Sequence, residues 1–354
     1  MSQKRRPPWR LLLVVVGLIA LVWTVVALDP RKVWAVARDA NPWWLLGSAI
    51  PIGLRFVIWG LKWNGLLATT EPFPLRLSTR IIAAGSFVNL TTPTAKVAGG
   101  VVRAALIRRR LGWRMSVAYG WAFADQVTNL LGQSLLLGAG SLAFAFHPTA
   151  GEYAWAFGLI GVATLSSLLL VIALRRPFWN WIRRPELNDK LERFVPRRFV
   201  GPDGIRPGLL ERTFGPLLVE SAAWKTFIPA VLWGTVAFAT LPVANAMVLK
   251  SLGVDAPLLV VTVIVVLGYL AGNLLGAWGG IGVTEAALAT LGAHFGVPPE
   301  QAAAGALLHR AIFYVVVLSW GGKALWKEGR SEAVPPIEET TESDDRLPDE
   351  RTSD

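Results

Sequence analysis

The chain has 354 residues, of which 53% are hydrophobic, and its formal net charge is +11. A soluble protein of this length would have more charged residues and shorter apolar runs. The sequence contains no cysteine, which excludes disulfides, thiolate metal sites and cysteine nucleophiles, and its three histidines form no metal-ligand motif, so we expect no metal and no cofactor.

The apolar residues form blocks that are long enough to cross a bilayer, whose ~30 Å hydrocarbon core needs about 20 helical residues. The first block, 11–28, has no charged residue and follows a basic cluster. We expect a retained span here, because a cleaved signal peptide has a shorter apolar core. Further blocks lie at about 43–61, 115–146, 153–174, 216–252, 257–278 and 299–326.

The charges indicate the orientation of the chain. Residues 328–354 contain ten acidic and three basic residues, a charge of −7, so residues 1–327 carry +18. The loop 175–212 holds ten Arg or Lys and five acids. Basic segments beside spans are typical of cytoplasmic loops and attract anionic lipids, so they do not indicate a nucleic-acid partner. We expect a bacterial inner (plasma) membrane protein with both termini cytoplasmic, a helical body at 1–327 and a disordered acidic tail at 328–354.

Residues 81–107 contain two apolar stretches that are each too short to cross a bilayer. The stretches are separated by Thr-Thr-Pro-Thr at 91–94, Lys96 and Gly99-Gly100, and are followed by three arginines at 108–110. The chain therefore enters and leaves this region on the cytoplasmic side, which predicts a re-entrant hairpin of two half-helices. Non-helical backbone at membrane depth is tolerated where protein or a water-filled cavity covers it.

The C-terminal part repeats this arrangement. A predicted span at 257–276 is followed by the glycine-rich run 278–282, a short helix from Thr284 to about His294, and a final span. The intervening block 216–252 is interrupted by Pro229, Gly234 and Pro242. We interpret it as two spans with a turn near 234–239, which gives about eight spans in total; one long tilted helix, giving seven, is the alternative.

An internal duplication explains the likeness. Gly-Val-Val-Arg-Ala-Ala-Leu at 100–106 matches Gly-Val-Thr-Glu-Ala-Ala-Leu at 282–288. Asn89 also matches Asn273, and Asp125-Gln126 falls opposite His309-Arg310. We infer repeat halves at about 43–174 and 216–326. The expected fold is all-α: a polytopic membrane helical bundle with two re-entrant hairpins and a pseudo-symmetric inverted repeat.

In such repeats, broken helices at matching positions form a substrate site near mid-membrane, and half-helix ends can hold an ionic headgroup. Ionisable residues at membrane depth are costly and mark functional or paired sites. The candidate substrate-binding residues are Arg103, Asp125, Glu285, Arg310, His309, Lys96, Asn89 and Asn273. The candidate helix-break glycines are Gly99, Gly100, Gly279, Gly280 and Gly282.

The two repeat-equivalent charges, on Arg103 and Glu285, are opposite in sign. We expect them to pair across the interface of the halves or to share a cavity with Asp125 and Arg310. Arg55 is expected to snorkel to the membrane surface, and the stripe of Asn129 and Gln133 is expected to join helices.

The sequence resembles the lysylphosphatidylglycerol synthase transmembrane family, also called flippase-like. The resemblance rests on Trp-Gly-Gly-Ile-Gly-Val-Thr-Glu-Ala at 278–286, Gly-Val at 296–297, Ala-Leu-Leu-His-Arg at 306–310, and the segment 93–104. The family implies a polytopic bundle with re-entrant helices and, in the multiple peptide resistance factor, translocation of aminoacylated phosphatidylglycerol. Trp278 stands where relatives usually have Pro, and Thr284 stands where they often have Arg. Asp125-Gln126 stands where many relatives have an acid followed by Arg. These departures weaken the inference of the same headgroup.

The function expected first is a translocase that moves an anionic or aminoacylated lipid, or a lipid-linked headgroup, between leaflets. The alternative is a non-transporting accessory or scaffold subunit for a lipid- or glycan-modifying enzyme, with an enzyme partner or a homo-oligomer. We expect no enzyme activity: the sequence shows no nucleophile–base pair, and the acidic tail stands where the aminoacyl-transferase domain of full-length synthases would be.

Overall fold

The computed structural model describes residues 30–67, 74–92, 97–113, 115–182, 222–275 and 280–330. Within these ranges it contains ten α-helices, one 3₁₀ segment at Pro148–Tyr153 and no strand. The helices are α1 (Pro30–Arg38), α2 (Pro42–Leu67), α3 (Leu75–Thr91), α4 (Val97–Leu111), α5 (Met115–Ala145), α6 (Ala154–Ile182), α7 (Ala222–Ser251), α8 (Leu258–Leu275), α9 (Val283–His294) and α10 (Pro299–Gly329). The expected first span at 11–28, most of the basic loop and the tail from 331 onward lie outside the described residues.

Five of these helices are long and apolar enough to cross a membrane: α2, α5, α6, α7 and α10. Their apolar side chains also face outward, as lipid-facing side chains do. On α6, Leu159 is 62% exposed and Leu169 is 68% exposed. In water such a surface would be an aggregation hazard, whereas in a bilayer it lies in its preferred solvent. The chain is therefore a multi-pass membrane protein.

Helix α7 is one continuous helix of 30 residues, so the interpretation of 216–252 as two spans with a turn is wrong. Gly234 marks a helix crossing instead of a turn. A Cβ on Gly234 would lie 3.1 Å from the carbonyl oxygen of Thr128 on α5, and a Cβ on Gly132 would lie 2.6 Å from the amide nitrogen of Thr235. Small residues allow such close approach of membrane helices, and the Thr235 hydroxyl donates to the Gly132 carbonyl at 3.1 Å.

Two pairs of shorter helices stand between the long ones. At 1.5 Å per residue, α3, α4, α8 and α9 are about 18–27 Å long, which is less than the ~30 Å hydrocarbon core. Gly268 on α8 lies against Leu288 of α9, and Gly272 lies against Thr284. From the first contact to the second, the residue number rises along α8 but falls along α9. The two helices therefore run antiparallel.

Helices α3 and α4 also meet closely. A Cβ on Gly85 would lie 2.9 Å from the carbonyl oxygen of Gly99, and the Asn89 side chain accepts a hydrogen bond from the Gly99 amide at 2.8 Å. Gly99 and Gly100 lie in the first turn of α4, so they serve close packing and do not form the break itself.

Each end of the bundle has its own packing centre. At one end, Phe144, Phe157 and Phe295 form edge-to-face contacts with centroids 4.7–5.6 Å apart. At the other end, the buried Glu328 on α10 pairs with Arg80 on α3 at 3.3 Å and with Arg110 on α4 at 2.7 Å. Glu328 was expected to begin the acidic tail, but it is a buried helical residue whose ion pairs join α10 to α3 and α4.

Candidate functional site

The first buried charge cluster is centred on Asp125 of α5, whose side chain is fully buried. Lys62 of α2 lies 2.9 Å from its Oδ1 atom, and the Arg103 guanidinium of α4 pairs with its Oδ2 atom. The Trp59 indole donates to both carboxylate oxygens at 2.9 and 3.1 Å. Two helices, α2 and α4, thus contribute polar groups to one buried carboxylate on α5.

Lys62 has three acceptors, which explains how an ammonium group is accommodated there. Besides the carboxylate, its Nζ atom donates to the backbone oxygen of Asp125 at 2.9 Å and to Asn129 Oδ1 at 2.8 Å. An ammonium group has three donors, so each of them has a partner. Lys62 was not among the predicted site residues because it directly follows the apolar block 43–61. The available signal was its position seven residues after Arg55, on the same helix face.

The second cluster lies in the other half and is centred on Glu285, near the start of α9. Glu285 Oε2 accepts from the Gly282 amide at 2.7 Å, and Oε1 accepts from Arg310 Nε of α10 at 2.8 Å. The Tyr314 hydroxyl lies 3.1 Å from Oε1 and accepts from Arg310 at 2.7 Å. A carboxylate in the first turn of a helix also interacts favourably with the helix dipole.

Glycines shape the turn before α9. Gly280 and Gly282 have φ values of 81° and 83°, a region that is costly for residues with a side chain. A Cβ on Gly280 would also lie 3.0 Å from Gly272 of α8. Both glycines therefore lie in the turn that precedes α9, where the sequence predicts a helix break. Gly279 and Lys96, which were also candidates, lie outside the described residues.

His309 is fully buried beside the second cluster. Its Nε2 atom lies 3.2 Å from the Tyr269 hydroxyl, and its Nδ1 atom has no hydrogen-bond partner among the described residues. Tyr269 also lies under the Arg310 guanidinium, 5.5 Å from ring centroid to Cζ. Asn273 donates to Gln133 at 3.4 Å, so the expected helix-joining role of Gln133 links α5 to α8.

The expected ion pair between Arg103 and Glu285 is not formed. Each residue instead pairs within its own half, Arg103 with Asp125 and Glu285 with Arg310. The physical reason is that each short helix packs against the long helix that follows it in the chain. The charges alternate in sign: the first half has its cation on the short helix, and the second half has its anion there.

Arg55 joins the two clusters, and the prediction that it snorkels is wrong. It lies midway along the 26 residues of α2, about 20 Å from either end at 1.5 Å per residue. Its Cζ atom is 5.2 Å from the Trp59 ring and 6.0 Å from the Phe238 ring. Phe238 in turn contacts Tyr269 edge-to-face at 5.9 Å. A line of aromatic rings and guanidinium groups thus runs from Asp125 to Arg310.

Long apolar helices, short antiparallel helix pairs and paired charges inside the bundle define a polytopic membrane protein with polar sites at membrane depth. Residues 10–321 match the family model described as "Lysylphosphatidylglycerol synthase TM region". The chain belongs to this family, which confirms the resemblance noted from its motifs.

A curated relative supports the same assignment. The chain is 20% identical over 332 residues to a protein named "UPF0104 membrane protein" from Methanothermobacter thermautotrophicus. The match covers 89% of this chain and 94% of that protein. The likeness therefore extends over nearly the whole membrane body.

Proposed function

We propose that the chain is a flippase-like translocase of the bacterial plasma membrane, which moves an anionic or aminoacylated lipid, or a lipid-linked headgroup, between leaflets. Family membership supports a membrane-embedded role. The buried charges support a polar substrate, because ionisable residues at membrane depth mark substrate pathways in transporters. The proposal assigns no bond-making step to the protein.

The proposal includes an inverted repeat. Helices α2, α3, α4 and α5 follow the order long, short, short, long, and α7 to α10 follow the same order. With a retained span at 11–28, the chain crosses six times: the α3–α4 hairpin enters from the cytoplasm and the α8–α9 hairpin enters from outside. Both termini are then cytoplasmic, with Glu328 at the cytoplasmic end and Phe295 at the external end.

One observation carries the proposal: both hairpins place a charged residue, at matching positions, against an opposite charge on the following long helix. A polar headgroup that crosses the membrane needs hydrogen-bonding partners along its path, because unsatisfied polar groups cost several kcal/mol in hydrocarbon. If the two hairpins open to opposite sides of the membrane, each would offer the hydrogen-bonding groups of its own charge cluster to one of the two leaflets.

Leaflet exchange in proteoliposomes tests the proposal. The full chain is reconstituted with fluorescent phosphatidylglycerol, and dithionite quenching of the outer leaflet reports exchange over time. We expect exchange faster than in protein-free liposomes, and a slowing of at least about tenfold (~1.4 kcal/mol) in the double variant Glu285→Gln, Arg310→Gln. The matched control is Arg38→Gln, since Arg38 is 73% exposed at its side chain and lies outside both clusters.

A panel of phosphatidylglycerol, lysylphosphatidylglycerol and a polyprenyl phosphate extends this test to the main lipid classes. If a folded, correctly inserted protein exchanges none of these lipids, the proposal of a translocase is contradicted. That result would favour the accessory subunit, whose charges would be structural pairs.

A further inference from the structure

Arg55 is a cation midway along α2, a helix long and apolar enough to cross a membrane, and it has no carboxylate partner among the described residues. Its Nε atom is buried and has no hydrogen-bond partner there, and its guanidinium contacts are the faces of Trp59 and Phe238. A guanidinium has five N–H donors in a planar fork. The other charged groups of this region are paired, so Arg55 stands out as a group that still requires an anion.

The charges around Arg55 do not balance. Arg55 and Arg103 stack on the same Trp59 ring, at 5.2 and 5.6 Å, and Lys62 lies on the same helix as Arg55. Against these three cations the described residues provide the single carboxylate of Asp125, which leaves an excess of two positive charges. The second cluster does not change this balance, since Arg310 is matched by Glu285.

From this imbalance we propose that Arg55 binds the phosphate of a lipid whose headgroup is a phosphomonoester or diphosphate, carrying about two negative charges at neutral pH. Arginine binds phosphate through two parallel N–H···O bonds and tolerates aromatic neighbours. An aminoacylated lipid such as lysylphosphatidylglycerol has a net positive headgroup and would meet an excess of like charge. The inference rests on the proposed function, whose substrate class it narrows, but it is tested by binding instead of transport.

The test uses the full chain in nanodiscs at pH 8, where a phosphomonoester is nearly dianionic because its second pKa is ~6. The ligands are dioctanoyl phosphatidic acid and farnesyl phosphate, compared with dioctanoyl phosphatidylcholine, lysylphosphatidylglycerol and inorganic phosphate. Tryptophan fluorescence reports binding, since Trp59 and Trp63 lie against the clustered guanidiniums. Wild-type protein should bind the two lipid phosphates at least about tenfold more tightly than the phosphatidylcholine or the lysyl lipid, the scale of one charged hydrogen bond.

Variants assign the effect to Arg55. Arg55→Gln should weaken binding of the lipid phosphates about tenfold or more, Arg55→Lys should retain part of it, and Arg38→Gln should bind as the wild type does. Competition by millimolar inorganic phosphate would show that the site recognises phosphate alone, and absence of competition would show that it also requires the lipid chain; either result supports the assignment when Arg55→Gln loses binding.

Two results would overturn the inference. One is wild-type protein that prefers the lysyl lipid or phosphatidylcholine, a comparison that does not depend on any variant folding correctly. The other is undiminished binding of lipid phosphates by a folded Arg55→Gln protein. Leaflet exchange of other lipids could still proceed in both cases, so the translocase would be judged separately.

Discussion

The charged residues of the bundle are stabilised as sets. Asp125 is compensated by Lys62, Arg103 and the Trp59 indole, and Glu285 by Arg310, Tyr314 and a backbone amide. Removing one partner of a buried ion pair leaves an uncompensated charge, which costs ~3–5 kcal/mol in measured cases. Each cluster is therefore sensitive to single neutralisations, whatever its role in transport.

A double-mutant cycle distinguishes pairing within the halves from pairing between them. Asp125→Asn should lower the free energy of unfolding by ~3 kcal/mol or more, and adding Arg103→Gln should cost much less than it does alone, with a coupling of at least ~1 kcal/mol. Arg103→Gln and Glu285→Gln should instead be additive to within ~0.5 kcal/mol, because they share no partner. Unfolding by SDS in mixed micelles gives these values. Strong coupling between Arg103 and Glu285 would instead indicate an ion pair between the two halves and contradict pairing within each half.

Sequence reasoning identified four of the buried charged residues but not their partners. Arg103, Asp125, Glu285 and Arg310 could be selected because ionisable residues are rare in apolar segments and repeat-matched ones rarer still. Their partners depend on helix rotation and on which helices touch, and neither is encoded in spacing along one helix. Arg55 was misassigned because snorkelling depends on depth, which was known only once α2 had defined ends.

At the scale of elements, the α3–α4 pair was predictable because both apolar stretches are too short for a full crossing. The prediction of a full span at 257–276 is wrong, since α8 has 18 residues and is not among the helices long enough to cross a membrane. Helix α7 was misjudged because Pro229, Gly234 and Pro242 were treated as breaks. In a membrane helix such residues are tolerated inside the bundle, and Gly234 provides the close contact with α5. A glycine that turns the chain and one that admits a neighbouring helix look alike in sequence.

The glycine turn before α9 gives a prediction at this scale. Gly280→Ala should destabilise the protein by ~1–3 kcal/mol, since alanine must adopt a φ of 81° at the cost of backbone strain. Gly158→Ala is the matched control, because its Cβ would meet its nearest neighbour at an ordinary 3.8 Å. Thermal unfolding in detergent measures both variants, and equal midpoints would mean that the turn is not strained.

At the scale of the whole molecule, the proposed translocation depends on two halves with opposite orientation. In the proposed topology, the cytoplasmic end holds the ion pairs of Glu328 with Arg80 and Arg110, across the opening of the α3–α4 hairpin. The external end holds the ring cluster around Phe295, beside the opening of the α8–α9 hairpin. An alternating mechanism would loosen one end while the other stays packed, and Arg55 lies between them.

The most direct measurement is the labelling of single cysteines, which the chain allows because it contains none of its own. Cysteines at Thr149, Pro299, Asn188 and Ser343 are treated with a membrane-impermeant maleimide in intact and in opened cells. Six crossings with hairpins of opposite orientation predict that Thr149 and Pro299 react in intact cells, and that Asn188 and Ser343 react only after opening. Protection of Pro299 in intact cells with reaction after opening would place both hairpins on one side and contradict the inverted arrangement on which the translocase proposal depends.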